Sequence, residues 1–163
     1  QNLISKSDYL RISELGVSTN DQMPRYAFEF LQRKYPELPK SKVLFLGVSY
    51  KGDVGDTRYS PAEKLYEYLN NIGCIVSCHD PYVEFWDEKE MEIERNFEYH
   101  LSNSLDIIIV STGHSIYKSQ KIIDSILKLR SIFIFDTIGF FSNEHIALLC
   151  EKHTVKVLGR GDL

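Results

Sequence analysis

The chain has 163 residues, 43% of them hydrophobic and 26% charged, which suits a globular domain with its own core and excludes a disordered one. The net charge of -4 excludes a nucleic-acid binder held by bulk electrostatics, so a phosphate site has to be local. No apolar run approaches a membrane span, no secretory leader is visible, and Cys74, Cys78 and Cys150 lack framework spacing, which excludes a disulfide scaffold and suits a reducing, cytoplasmic setting.

The chain opens on Gln1 rather than Met, so it is expected to be processed or to be part of something longer. Residues 1–17 carry little pattern. Thr19-Asn20-Asp21 offers caps before Pro24, and Tyr26, Ala27, Phe30 and Leu31 follow at helical spacing, so a helix is expected over 21–34. It stops before Tyr35-Pro36-Glu37-Leu38-Pro39-Lys40, a linker. This aromatic-rich helix is expected to bury its apolar face on a partner subunit or another domain.

From Lys42 the pattern alternates. A strand over 43–48 leads through a charged, glycine-bearing loop to a helix over 62–71, which Gly73 closes at C′. A strand over 74–79 ends in Asp80-Pro81-Tyr82, and the acidic stretch 84–96 reads as a short helix. Strands over 106–111, 131–135 and 155–158 then alternate with helices over 119–129 and 143–151. Continuous apolar strands such as Ile107–Val110 suit a parallel sheet covered on both faces. The expected fold is α/β: a doubly wound, mostly parallel sheet preceded by a separate N-terminal helix.

In such a sheet the strand carboxyl ends share one edge, where ligands bind. Four corners meet there: Lys51 to Arg58, Asp80-Pro81-Tyr82, Thr112-Gly113-His114 and Asp136 to Gly139. The first is the most informative. Ser60 is a candidate N-cap, Pro61 fits N1, and Glu63 at N3 completes the S-x-x-E capping box. With Lys51 and Arg58 in the loop and N–H groups at the helix start, this corner has the chemistry for an anion such as a nucleotide phosphate. The alternative is that Lys51, Asp53, Asp56 and Arg58 are solvated loop charges.

The loop is neither a G-x-G-x-x-G fingerprint nor a P-loop, since Lys51 precedes Gly52. Asp80 stands where a ribose-binding acid belongs in a dinucleotide domain, or else starts a turn. His114 is a candidate general base, or else a loop histidine that binds backbone or water. Cys74 and Cys78 are expected to share one strand face as buried packing residues, with His79 on the other.

The run Val43–Pro61 resembles the opening of the C-terminal domain of the UDP-glucose/GDP-mannose dehydrogenase family, and Asn20–Tyr26, Asp80–Val83, Asp106–Val110 and Gly113-His114 resemble further segments in the right order. The resemblance covers about residues 18–158. It implies a Rossmann-like domain that grips the nucleotide of a nucleotide sugar, most simply a UDP-sugar. The enzyme around it would oxidise the C6 alcohol to a carboxylate with NAD, as in UDP-glucose to UDP-glucuronate, for polysaccharide synthesis. By position, Tyr50 and Lys51 would contact the nucleotide sugar, and Arg58 would reach toward NAD held mainly by an N-terminal domain. Residues 1–39 would be the end of a central helical dimerisation region and 40–163 the UDP-sugar-binding domain, with a homodimer as the assembly. The family's catalytic cysteine has no counterpart here, so no catalytic residue is assigned and the isolated chain is expected to be inactive. Ile138 stands where many members carry arginine. A non-catalytic nucleotide-binding or oligomerisation module of the same fold remains the alternative; an unrelated enzyme with His114 as base is the third.

Overall fold

Apolar side chains on both faces of three central strands dictate a sheet that is covered twice, and the computed structural model, which describes residues 11–101 and 104–161, shows it. Strands β1 (Lys42–Leu46), β2 (Ile75–His79), β5 (Ile107–Val110), β6 (Phe133–Asp136) and β7 (Thr154–Val157) form one parallel sheet in the order β2-β1-β5-β6-β7. Every residue of β5 and β6 is buried. A two-stranded antiparallel ribbon, β3 (Phe85–Trp86) with β4 (Met91–Glu92), lies between β2 and β5 in sequence.

Handedness sets which face each helix covers. Right-handed crossovers place α2 (Pro61–Asn71), between β1 and β2, on one face. The chain then reverses direction, so α3 (Phe97–Leu101), α4 (Gln120–Lys128) and α5 (Asn143–Cys150) fall on the other. The two cores follow this division. Val43, Phe45, Ile107, Ile109, Phe133 and Phe135 pack with Leu65 and Leu69 of α2, whereas Leu44, Leu46, Ile108 and Ile134 pack with Ile122, Ile126 and Leu149. One crossover helix cannot cover its face alone. The remainder is covered by α1 (Arg11–Lys34), whose Ala27 and Leu31 are buried while Phe30 stacks on Phe135 at 5.4 Å. The apolar face expected to meet a partner therefore packs on the chain's own sheet.

Three other expectations change. α1 begins at least ten residues before Asp21 and carries Pro24 in its interior rather than its first turn. The missing N–H at Pro24 leaves the Asn20 carbonyl without its ladder donor. The acidic stretch 84–96 is the β3–β4 ribbon with a 3-10 turn, Asp87–Lys89, not a helix. Fully buried Trp86 and buried Val83 and Ile93 anchor it, so tertiary burial overrides helix propensity. The short helix α3, Phe97–Leu101, follows the ribbon where the pattern shows no helix.

The termini of α2 were legible. Gly73 at φ 85° closes a Schellman motif, with Cys74 N donating to Leu69 O at 3.1 Å and Gly73 N to Asn70 O at 2.9 Å. Ser60 is the N-cap, accepting from Ala62 N at 3.3 Å. The capping box does not close, because Glu63 pairs with Lys89 at 2.9 Å instead. Cys74 and Cys78 are buried in one core, where burial pushes the Cys74 thiol up to about 11 and the Cys78 thiol higher still. His79 faces the other core against Phe97 and Tyr117.

Candidate nucleotide-binding edge

Strand order reverses between β1 and β5, because β1 leads to β2 on one side and the chain returns to β5 on the other. Loops leaving the carboxyl ends of these two strands diverge there, and a ligand crevice follows at such a switch point. All four corners singled out above lie on this edge. Between two of them, the first and the last, and α1 is a cleft of about 260 Å3, walled by Met23, Pro24, Tyr50, Leu65, Ile138 and Leu158, with Asn20 and Thr137 among its polar lining. Asn20 and Pro24 line the cleft from α1, which strand ends alone do not point to. Pro24 within a helical pattern was the available signal.

The loop after β1 is closed by Tyr50 N donating to Asp56 O at 2.7 Å. Gly52 lies against the next corner: a Cβ there would sit 2.3 Å from the Gly113 carbonyl oxygen. Asp53 holds a left-handed φ of 62°. Its N–H donates to His114 Nδ1 at 2.9 Å, and its Oδ1 accepts from Ser115 N at 2.8 Å and Ser115 Oγ at 3.1 Å. The Ser115 N–H bond holds the Asp53 carboxyl below its usual range.

Lys51 and Arg58 fare differently. Arg58 grips Asp56 in two parallel bonds, Nε to Oδ1 at 2.9 Å and Nη2 to Oδ2 at 2.7 Å. Those bonds, with the Arg58 N–H, hold the Asp56 carboxyl at about 2. Lys51 is exposed and has no hydrogen bond or ion pair among the described residues. The loop's formal charges cancel, since Lys51 and Arg58 face Asp53 and Asp56, and Lys51 is its unengaged cation. The N-terminus of α2 adds less than expected for an anion. Pro61 has no N–H, Ala62 N is spent on Ser60 Oγ, and Glu63 N is spent on Ser60 O. Lys51 is thus the group at this corner left open to an anion among the described residues. Tyr50, 61% exposed, joins the loop to the cleft wall.

Asp80 is fully buried and spent inside the protein. Its Oδ2 accepts from Val48 N at 2.9 Å, Ser49 Oγ at 2.8 Å and His114 Nε2 at 2.9 Å, and its Oδ1 accepts from Tyr82 N at 2.9 Å. Burial pushes this carboxyl up, but the bonds from His114, Tyr82 and Val48 outweigh it, so it stays below its ordinary value. With the carboxylate fully buried, neither oxygen is within reach of a ribose hydroxyl, and Oδ1 accepts from Tyr82 N two residues on, so of the two readings of Asp80 the turn holds. His114 is buried too, with both ring nitrogens engaged, so it has no open nitrogen with which to take a substrate proton. Asp136 likewise holds its own corner, accepting from Ile138 N at 3.1 Å and Phe141 N at 2.9 Å. Ile138 is half exposed at the cleft.

Fold and edge together define a doubly wound α/β nucleotide-binding domain. The sequence matches the UDP-glucose/GDP-mannose dehydrogenase family, UDP binding domain, over residues 44–143, and the chain belongs to that family. It is 31% identical to a UDP-N-acetyl-D-mannosamine dehydrogenase of Methanococcus maripaludis over 98% of this chain and 37% of the relative. It is 33% identical to the enzyme of that name from Methanocaldococcus jannaschii, over 98% of this chain and 36% of the relative. Among solved structures it resembles an NDP-N-acetyl-D-galactosaminuronic acid dehydrogenase from Methanosarcina mazei, with a TM-score of 0.77 at 26% identity, covering 98% of this chain and 34% of that one. The chain thus spans little more than a third of these relatives. Among the described residues no helix is long and apolar enough to cross a membrane, and no cluster of three His, Cys, Asp or Glu is placed to hold a metal.

Proposed function

We propose that this chain is the nucleotide-sugar-binding part of an NAD-dependent dehydrogenase that oxidises the C6 alcohol of a UDP-sugar to a carboxylate. The relatives' names favour UDP-N-acetyl-D-mannosamine over UDP-glucose as the sugar nucleotide. The observation that carries the reading is Lys51: an unpaired cation on a pinned loop, beside an apolar cleft at the sheet's switch point. In this reading the diphosphate meets Lys51, and Tyr50 contacts the nucleotide sugar from the cleft wall. Residues 40–163 form the binding domain. Residues 1–39 end a central dimerisation region, and Leu15 and Val17, 69% and 63% exposed on α1, are available to a second copy.

NAD would accept the hydride. The residues present do not build its site. The β1 loop is no dinucleotide fingerprint, and Asp80 is fully buried, out of reach of a ribose. NAD is therefore assigned mainly to a domain outside this chain, with Arg58 reaching toward it from the rim, where its side chain is 77% exposed. A second reading, a module that keeps the fold without ligand affinity, draws on the cancelled loop charge and on Ile138.

Calorimetric titration with UDP, GDP and UDP-N-acetyl-D-mannosamine separates the two. The first reading expects UDP and its sugar to bind, and Lys51→Ala to weaken them by roughly 1.5–3 kcal/mol. Absence of binding, or unchanged affinity in the variant, counts against it.

A further inference from the structure

We infer that His114 is a positioning residue for the nucleotide loop, acting as a fixed acceptor for the Asp53 N–H; this rests on the nucleotide-binding reading above. The argument begins with tautomers. His114 Nδ1 lies 2.9 Å from Asp53 N, a backbone group that only donates. Nδ1 must therefore be the bare nitrogen. The proton sits on Nε2, which donates to Asp80 Oδ2 at 2.9 Å. Asp80 fixes that choice, since its oxygens only accept when ionised. The ring is fully buried, flanked by Tyr82 and Tyr117, so it cannot turn without breaking both bonds.

What the ring holds is the turn that carries Lys51. Asp53 lies two residues beyond Lys51 in a left-handed conformation that costs a non-glycine residue free energy. The His114 and Ser115 bonds hold it there from the neighbouring corner, and Gly52 is seated on Gly113 by the same contact. Released from these, the segment beyond Lys51 keeps only the long bond from Tyr82, on a different corner, to Asp53 at 3.5 Å among the described residues, since the remaining tie to the Thr112–Ser115 corner, Thr112 Oγ1 donating to Ser49 O at 2.6 Å, lies before Lys51. The buried Asp80–His114 pair thus transmits the rigidity of the sheet edge to an exposed lysine, and a preordered lysine binds an anion without first losing loop entropy.

Two substitutions split the ring's two functions. His114→Asn keeps an acceptor near the Nδ1 position and loses the bond to Asp80. His114→Gln keeps a donor near the Nε2 position and loses the acceptor for Asp53. If His114 positions the loop, the Asn variant keeps slow exchange of the Asp53 amide and near-native UDP affinity. The Gln variant then loses that protection and binds UDP roughly three- to tenfold more weakly, the loss of one hydrogen bond. If the ring only satisfies Asp80 in the core, the order reverses, and the inference fails. Amide exchange at Ile108 and Phe135 reports whether each variant remains folded. Long-range 1H–15N spectra of the unmutated chain provide a check that needs no variant: a proton on Nε2 is required, and a proton on Nδ1 overturns the inference. If the unmutated chain shows the Nε2 tautomer and a protected Asp53 amide yet binds no UDP, the nucleotide reading has failed, and with it the purpose assigned to His114.

Discussion

At Gly52 a single methyl group has nowhere to go. A Cβ would lie 2.3 Å from a backbone oxygen, which cannot swing aside as a side-chain tip can. Gly52→Ala should lift the loop off the Gly113 corner, with an overpacking cost of about 1–3 kcal/mol and a larger proportional loss in UDP affinity than in stability. Equal affinity in the variant would show that loop placement does not matter to binding. The neighbouring ion pair gives a second prediction. Asp56 is held near 2 by Arg58 against an ordinary value of 3.8. Its folded value is depressed, so what the pair contributes is present above about pH 4 and is lost as pH falls through about 2. A carboxyl 13C titration placing Asp56 near 4 would show that the pair does not form. The sequence displayed all four loop charges. It did not display that Arg58 is taken up by Asp56 two residues away while Lys51 is left free, because which side chains meet depends on the path of the folded loop.

At the scale of elements, α1 shows what one-dimensional pattern leaves out. Its apolar spacing was visible, but its destination was not. That follows from counting crossovers: three segments fall on one face and one on the other, which leaves half a face for α1. Leu31→Ala, at a fully buried position in this packing, should cost about 2–5 kcal/mol in urea unfolding. A change under 0.5 kcal/mol would mean that α1 does not pack on the sheet in solution. Helix ends read more reliably because their signals are local. Ser60 and Gly73 do what their residue types suggest, and Ser60→Ala should cost about 1 kcal/mol. Glu63 departs from its local signal because Lys89, arriving on the β3–β4 ribbon, offers a charge that the capping box does not.

Across the whole molecule, the parallel sheet was legible from its apolar runs, and the site edge from where those runs end. The buried polar wiring was not, since Asp80, His114 and Asp53 meet only after folding. A second buried histidine contributes an acid response. His79 is packed between Phe97 and Tyr117 with Nε2 donating to the Arg95 carbonyl. Burial pushes it down to about 4 from an ordinary 6.5. The unfolded chain therefore takes up this proton below about 6.5 and the folded chain only near 4. The contribution of His79 is constant above the first value and falls toward the second, by about 3 kcal/mol. His153, also pushed down by burial, adds to the same slope. Urea unfolding between pH 7 and 4 should show the decline, and His79→Phe should flatten it whatever its effect at neutral pH. An unchanged slope in that variant would remove His79 as the cause.

The central claim is that UDP binds at the carboxyl edge of β1, where Lys51 is the cation. Backbone amide shift mapping of the labelled chain during UDP titration tests it most directly. The predicted result is a cluster of shifts over Tyr50–Arg58 and Thr137–Ile138, saturating with UDP and weakened by Lys51→Ala. Shifts gathered instead on the open groove between α3 and α4, lined by Lys121, Asp124 and Lys128, or a titration indifferent to Lys51, would contradict it.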